Sequence, residues 1–331
     1  MYGYFWNGDR FEEGCVTFED GKITDAECCR IPSGEKVHTF IPGIVDGHTH
    51  TADAGLKLTK KYTLEELVAP PNGLKHRYLS DTPKDVLIND MRKYTAKLKS
   101  NGVSKFIDFR EGGLEGAKML REASPDAVIL GRPVSPEFDI NEIDAILDVA
   151  DGIGISSITD MDHNYIDKIA DAVHRKNKML ALHVSERIRE DIDYVLSLNP
   201  DFVVHMVQAT KEDMKKCADS DVPVVVCASS NQYFGMTPNI KAMIDAGVSV
   251  SLGTDNAMLC PSADIFSEFG IFWKILSAQG GTKYDAFKCL IAHGGKLLYR
   301  QFPIEIQPGN DTEPIIVPSL PDRILDGTVL R

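Results

Sequence analysis

From about Phe40 onward the chain repeats one pattern: a short apolar run, a loop, and an amphipathic stretch. This alternation limits the fold more than any other feature of the sequence. The apolar runs are FIPGIVD (40–46), VSKFIDF (103–109), AVILGRPV (127–134), GIGISSI (152–158), MLALHV (179–184), FVVHM (202–206), VPVVVCA (222–228) and VSVSLG (248–253), eight in all. Between them lie helical patterns. The first covers 82–100, where Thr82 reads as a cap with Asp85 three residues later and Asn101-Gly102 as the stop. Others run near 114–123, 140–150, 164–177, 187–198, 210–220, 238–246 and 264–278. Strands that alternate with helices pair in parallel through right-handed crossovers. Eight such units in about 260 residues have the size of a (β/α)8 TIM barrel, typically ~250 residues. The rival α/β architecture, a doubly wound open sheet, usually carries a Gly-rich phosphate loop after an early strand. Here the first strand runs into His-Thr-His instead.

The two ends of the chain read differently. The first forty residues are short strands around the turns Asn7-Gly8-Asp9 and Asp20-Gly21. The tail IEIQPGNDTEPIIVPS (304–319) has two strand-like pieces, IEI and PIIV, expected to return and pair with the N-terminal strands. The expected organisation is a small composite β domain from 1–38 plus 303–331, and a barrel from 39–302.

Charge and cysteine usage narrow the partners. The formal net charge is −13, with no long basic run, so neither a nucleic-acid backbone nor an anionic membrane surface is an expected partner. The apolar runs are strand-length, far below the ~18 residues a membrane span needs. Seven cysteines, an odd number without a CxxC pair, suit reduced thiols in a cytoplasmic protein. The start MYGYFWNGDRFEEG lacks a signal-peptide pattern, which agrees with a cytoplasmic location. A homo-oligomer is compatible with the sequence, but no feature sets a stoichiometry.

Nine histidines are present, and the placement of four is informative. His48 and His50 follow the first barrel strand in VDGHTH, two apart, so both imidazoles face one side. His183 ends the fifth strand in ALHVSE, His205 ends the sixth in VVHM, and Asp255 follows the eighth in SLGTDN. A lone histidine at a strand end is usually a satisfied polar residue, and HxH alone is weak. Joint placement at the C-terminal ends of strands one, five, six and eight is specific, because that face carries the active sites of such barrels. Imidazole and carboxylate suit a divalent first-row metal such as zinc, and three or four protein ligands with a position left for water make a catalytic site. His38, His174 and His293 read as structural, and Cys28-Cys29 as two packed thiols.

At these motifs the chain resembles the amidohydrolase superfamily. IPGIVDGHTH, LHVSE, VVHMVQAT and SLGTDN look like its motifs, and CASSN (227–231) is similar to the Cys-Pro-x-Ser-Asn segment of the cytosine/adenosine deaminase and chlorohydrolase-like branch. The resemblance implies that His48, His50, His183 and Asp255 hold the metal, that Glu186 is the proton shuttle, and that His205 orients the attacking hydroxide, with Asp255 sharing its proton. The plainer reading of Glu186 is a carboxylate opening the following helix, where it suits the dipole. Two-metal members commonly use a carbamylated Lys on strand four. GIGISSITD has none, Lys168 lies well into the helix, and Lys105 on strand two is a distant second candidate bridge that reads rather as a structural or barrel-bottom residue. One divalent metal per chain is therefore expected, zinc first, with iron, nickel or manganese as alternatives.

The stretch 63–79, with Pro70, Pro71 and Gly73, reads as a long irregular loop over the active face. Its Lys75, His76 and Arg77 either present positive charge to an anionic substrate group or are solvated. Arg110, Asp162, Ser229 and Asn231 are further candidate substrate contacts by topology, as are Phe109, Glu111, His163 and Met206. The expected activity is hydrolytic deamination of a purine, pyrimidine or related heterocycle. The alternatives are a chlorohydrolase or cyclic-amide hydrolase on a similar ring, and a noncatalytic barrel subunit. Against the last, every metal position implied by the resemblance is filled.

Overall fold

The structure is a computed structural model describing residues 1–69, 72–298, 305–309 and 314–326. The N-terminal strands β1 (Tyr2–Trp6), β2 (Phe11–Glu19) and β3 (Lys22–Cys28) form an antiparallel meander, and β4 (His38–Ile41) lies parallel to β1. Phe5, Val16, Ile23 and Phe40 bury one face of this sheet, together with Ile306.

The expected single strand over 40–46 is corrected. Pro42 and Gly43 divide it, with β4 in the small sheet and β5 (Ile44–His50) in the barrel. Apolar residues continue across the break, so hydrophobicity alone hides it. Pro42 interrupts the ladder because it has no N–H to give.

The barrel continues through β6 (Val103–Arg110), β7 (Val128–Gly131), β8 (Gly152–Ile155), β9 (Met179–Val184), β10 (Phe202–His205), β11 (Val224–Val226), β12 (Val250–Leu252) and β13 (Asp255–Asn256). Neighbours run in order β12-β11-β10-β9-β8-β7-β6-β5-β13, and every pair is parallel. Strands β12 and β13 are two pieces of the eighth barrel strand. The first pairs with β11 and the second with β5, so the sheet closes on itself as a TIM barrel. Gly253 sits at that joint, where a Cβ would lie 2.7 Å from the Cβ of His48. Only glycine lets the last strand come this close to the first.

Alternation fills the barrel interior with Ile107, Phe109, Leu130, Met179, Ala181, Phe202, Val204, Val225 and Cys227. A larger apolar layer packs the outer faces of the strands against the helices. In the C-terminal segment, β14 (Ile315–Val317) pairs antiparallel with β4, and Ile306 N–H donates to Trp6 O at 2.7 Å. Of the IEI piece, residue 304 lies outside the described residues, while 305–306 form no strand.

Three local readings change. Thr82 closes the helix Leu74–Asp81, while Pro83 occupies the N-cap of Lys84–Ser100 with no side-chain bond. The stretch 63–79 is not irregular among its described residues. It holds helix Leu64–Leu67, opened by a capping box between Thr63 and Glu66, and most of Leu74–Asp81. The helix expected over 187–198 begins only at Ile192, capped by Asp191, so Glu186 stands in a loop rather than opening a helix. All seven cysteines are unpaired, and no helix among the described residues is long and apolar enough to cross a membrane.

Candidate active site

The site grows out of strand geometry. On β9, Met179 and Ala181 face the barrel interior, and the same alternation carries His183 inward one layer higher. On β5 the same rule turns His48 and His50 together toward the mouth. His205 and Asp255 reach it differently: both have positive φ, 76° and 60°, so the backbone twists as each strand ends and re-aims the side chain. Non-glycine residues adopt that conformation only at a cost, which the surrounding structure holds in place. Phe109 forms the floor, its ring 4.4 Å from that of His48 and 4.9 Å from that of His183.

The nitrogens converge. His183 Nδ1 lies 3.0 Å from Ile155 O, which can only accept, so Nδ1 carries the proton and Nε2 presents its lone pair. That Nε2 lies 3.2 Å from Nε2 of His48. Asp255 Oδ1 is 3.4 Å from His48 Nε2 and 3.7 Å from His50 Nε2. Burial pulls the His48 imidazole down to about 3, and also lowers His50 and His183, so all three are neutral at ordinary pH. Two buried imidazole nitrogens facing each other at hydrogen-bond distance, with a carboxylate oxygen beside them, are a group that could hold a divalent ion. Ligand atoms ~2.0–2.1 Å from a common tetrahedral centre lie about 3.3 Å apart, close to these spacings.

A second group of potential ligands, His205, Cys227 and Asp255, overlaps the first. Burial pushes the Cys227 thiol well up, which keeps it protonated, and it packs with the barrel interior.

Around this cluster the partners are fixed. Ser230 Oγ donates to Asp255 Oδ2 at 2.5 Å, and Asn256 Nδ2 to Oδ1 at 2.9 Å. Asn231 Nδ2 lies 3.3 Å from His205 Nδ1, leaving His205 Nε2 toward Glu186 Oε1 at 3.7 Å. Burial raises the Glu186 carboxyl above the usual range, opposed by His205. His50 Nδ1 lies 2.9 Å from Glu111 Oε1, and Lys75 Nζ meets the same oxygen at 2.6 Å. Burial works against the Glu111 carboxylate, but Lys75, His50 and Arg110 outweigh it and hold Glu111 well below its ordinary value.

A cavity of about 230 Å³ opens above the cluster and is lined by His50, His183, Glu186, His205 and Asp255. Of the candidate substrate contacts named from sequence, Lys75 and Glu111 line it, and they are engaged with each other, Lys75 Nζ also meeting Asn256 Oδ1 at 2.9 Å. His76 turns its Nε2 to Val68 O, and Arg77 is exposed. Arg110 is buried beneath the mouth, bonded to Asp108 and Glu111. Asp162 caps the helix His163–Arg175. Ser229 turns away to Glu268, and Asn231 supports His205. Topology had placed these residues near the mouth; hydrogen bonding to the scaffold takes them out of it.

Other groups went unnamed in the sequence reading. Arg132, Ser156, Asn256 and Phe234 line the cavity. Glu190 does too, and its carboxylate ties Ser157 Oγ (2.5 Å) and Ile158 N (3.1 Å) to Ser185 N (2.6 Å). Arg132 directly follows β7, so the strand-end rule that marked His183 and His205 applies to it as well.

A TIM barrel with a histidine-rich cluster under a small cavity at its C-terminal face is the class that fold and site define. A model of the amidohydrolase family matches residues 39–290, and the chain belongs to that family. An uncharacterized protein of Methanocaldococcus jannaschii is 34% identical over 261 residues, covering 71% of this chain and 67% of that protein. A putative aminohydrolase of Methanothermobacter thermautotrophicus is 32% identical over 288 residues, covering 78% and 75%. Among solved structures, an adenosine deaminase from Xanthomonas campestris with bound zinc superposes with a TM-score of 0.76 at 16% identity, covering 95% of this chain and 83% of that one. At that identity the likeness concerns the fold.

Proposed function

We propose that the protein is a hydrolytic deaminase of a purine, pyrimidine or related heterocycle, working with one divalent metal, zinc in first place. The observation that carries this reading is the convergence on His48 Nε2 of His183 Nε2 at 3.2 Å and Asp255 Oδ1 at 3.4 Å, with Glu186 and His205 beside them under the cavity. Family membership and the relatives' names support a hydrolase acting on carbon–nitrogen bonds. His48, His50, His183 and Asp255 would hold the ion, whose contribution is Lewis-acid activation of water near neutral pH.

The remaining steps belong to side chains. The ring packs against Phe234, Leu64 and Val68 in a cavity smaller than the ~300–1,000 Å³ of drug-sized sites. His205, steadied by Asn231, directs the attacking oxygen at the amino-bearing carbon. Glu186 Oε1 gives a proton to the adjacent ring nitrogen, then passes the proton taken from the attacking water to the leaving amine. One C–O bond forms, one C–N bond breaks, and water and the amine become a ring carbonyl and ammonia. Such a shuttle is worth ~10²–10⁴-fold.

A screen of amino-substituted heterocycles, read by ammonia release alongside metal analysis of the same chelator-free protein, tests the reading. One metal equivalent and release from at least one ring are expected. Two equivalents would refute the mononuclear site. Release of chloride without ammonia, or no turnover by metal-replete protein, would refute deamination.

A further inference from the structure

Arg132 stands out among the charged groups of the cavity because, among the described residues, no side chain makes an ion pair with it. It follows β7 on the wall formed with the end of β8, and it lines the cavity beside Ser156. Its Nε is buried without a hydrogen-bond partner, and among the described residues its guanidinium makes no ion pair. The other cations are committed: Lys75 to Glu111 and Asn256, Arg110 to Asp108 and Glu111, and Arg187 to Glu65 at the rim, 3.6 Å away. The acids that act on Arg132 from a distance are Glu111 and Asp160, with Arg110 opposing them. Glu190, the other carboxylate of this wall, already accepts from Ser157, Ile158 and Ser185.

A guanidinium cannot shed its charge, and withdrawing it from water without a partner is costly. Its planar fork matches the two oxygens of a carboxylate or phosphate.

We infer that Arg132 is the specificity residue of the cavity and binds an oxyanion substituent, a carboxylate or a phosphate, on the heterocyclic substrate. The inference deepens the proposed deaminase reading and rests on it. The geometry is consistent with one ligand serving both walls. Its reacting carbon sits at the cluster formed by β5, β9, β10 and β13, and its anionic arm reaches toward β7 and β8. A 230 Å³ cavity favours a short arm, hence a carboxylate borne directly on the ring.

Binding rather than turnover tests this. Titration calorimetry on metal-loaded wild-type protein compares uracil with its 6-carboxylate, orotate, and uridine with uridine 5′-monophosphate, as unreactive ring probes. Benzoate serves as an oxyanion without the heterocycle. Orotate should bind at least tenfold tighter than uracil, with the preference lost in Arg132→Met and partly kept in Arg132→Lys. Loss of one charged bidentate contact corresponds to roughly 10–10²-fold. A preference seen only in the uridine 5′-monophosphate pair would assign phosphate. Equal binding of charged and neutral rings by the wild type overturns the inference and leaves the deaminase reading intact. A preference that survives Arg132→Met also overturns it, since another group, the metal included, then holds the anion. If neither ring binds but benzoate does, in an Arg132-dependent way, the anion site stands and the heterocycle reading falls. If none of the probes binds, both fall. Wild-type comparisons need no variant, so a misfolded Arg132→Met leaves the first outcome decisive.

Discussion

Two buried polar clusters lie side by side in the mouth of this barrel, and they are built on opposite principles. In one, His48, His50, His183 and Asp255 turn their ligand atoms toward a common point, nitrogen facing nitrogen at 3.2 Å. In the other, charges answer one another. Lys75 meets Glu111 at 2.6 Å and Asp53 at 3.7 Å, and Arg110 meets Asp108 at 3.1 Å and also Glu111. Burial pushes the Asp53 carboxyl up to about 7, with Lys75 pulling the other way, so the second cluster approaches neutrality with two cations against two other acids. A set satisfied from within asks for nothing more and serves as scaffold. A set of converging ligand atoms is one that a cation could complete. His50 belongs to both, with Nδ1 toward Glu111 and Nε2 toward Asp255, so the closed cluster aims one arm of the open one.

The contrast breaks most completely at the open cluster. His183→Ala should carry metal content from about one equivalent toward zero and take turnover with it, while circular dichroism shows the barrel still folded. Retention of both metal and activity would remove β9 from the site. In the closed cluster the damage should fall on stability instead. Lys75→Met strands Glu111 in the interior and should cost about 3–5 kcal/mol in a denaturant melt, with metal still bound. An unchanged melt would show that the cluster is not neutralised from within. The smallest effect belongs to the supports. Ser230→Ala removes the bond to Asp255 Oδ2 and should weaken metal binding by ~10–100-fold in a chelator competition, with stability little changed. A change under twofold would mean that Asp255 needs no such hold.

The same contrast explains what could be read from the sequence. The barrel was legible because each strand is a compact apolar run. The open cluster was legible because histidine and aspartate recur at the ends of those runs. The closed cluster was not, since Asp53, Lys75, Asp108, Arg110 and Glu111 are spread over three segments and ordinary charges carry no periodic signal. Lys75 read equally as a substrate contact or a solvated residue, and the helix Leu74–Asp81 turns it inward to Glu111 while leaving Arg77 outside. The break at Pro42-Gly43 was masked by apolar residues on both sides. Ser229, Ser230 and Asn231 show the limit of topology: three consecutive residues of one turn serve Glu268, Asp255 and His205 in sequence, a division set by side-chain direction alone.

The central claim is a division of labour, in which His48, His50, His183 and Asp255 hold the ion while Glu186 moves protons. Glu186→Gln keeps the shape of the side chain and removes only its titratable proton. Metal content and ammonia release, measured on one preparation with a substrate found by the heterocycle screen, test the division directly. The account predicts metal near the wild-type level and kcat lower by a factor on the order of 10² or more, with KM changed less. Loss of the metal would make Glu186 a ligand and contradict the assignment, and full turnover would place the proton shuttle elsewhere.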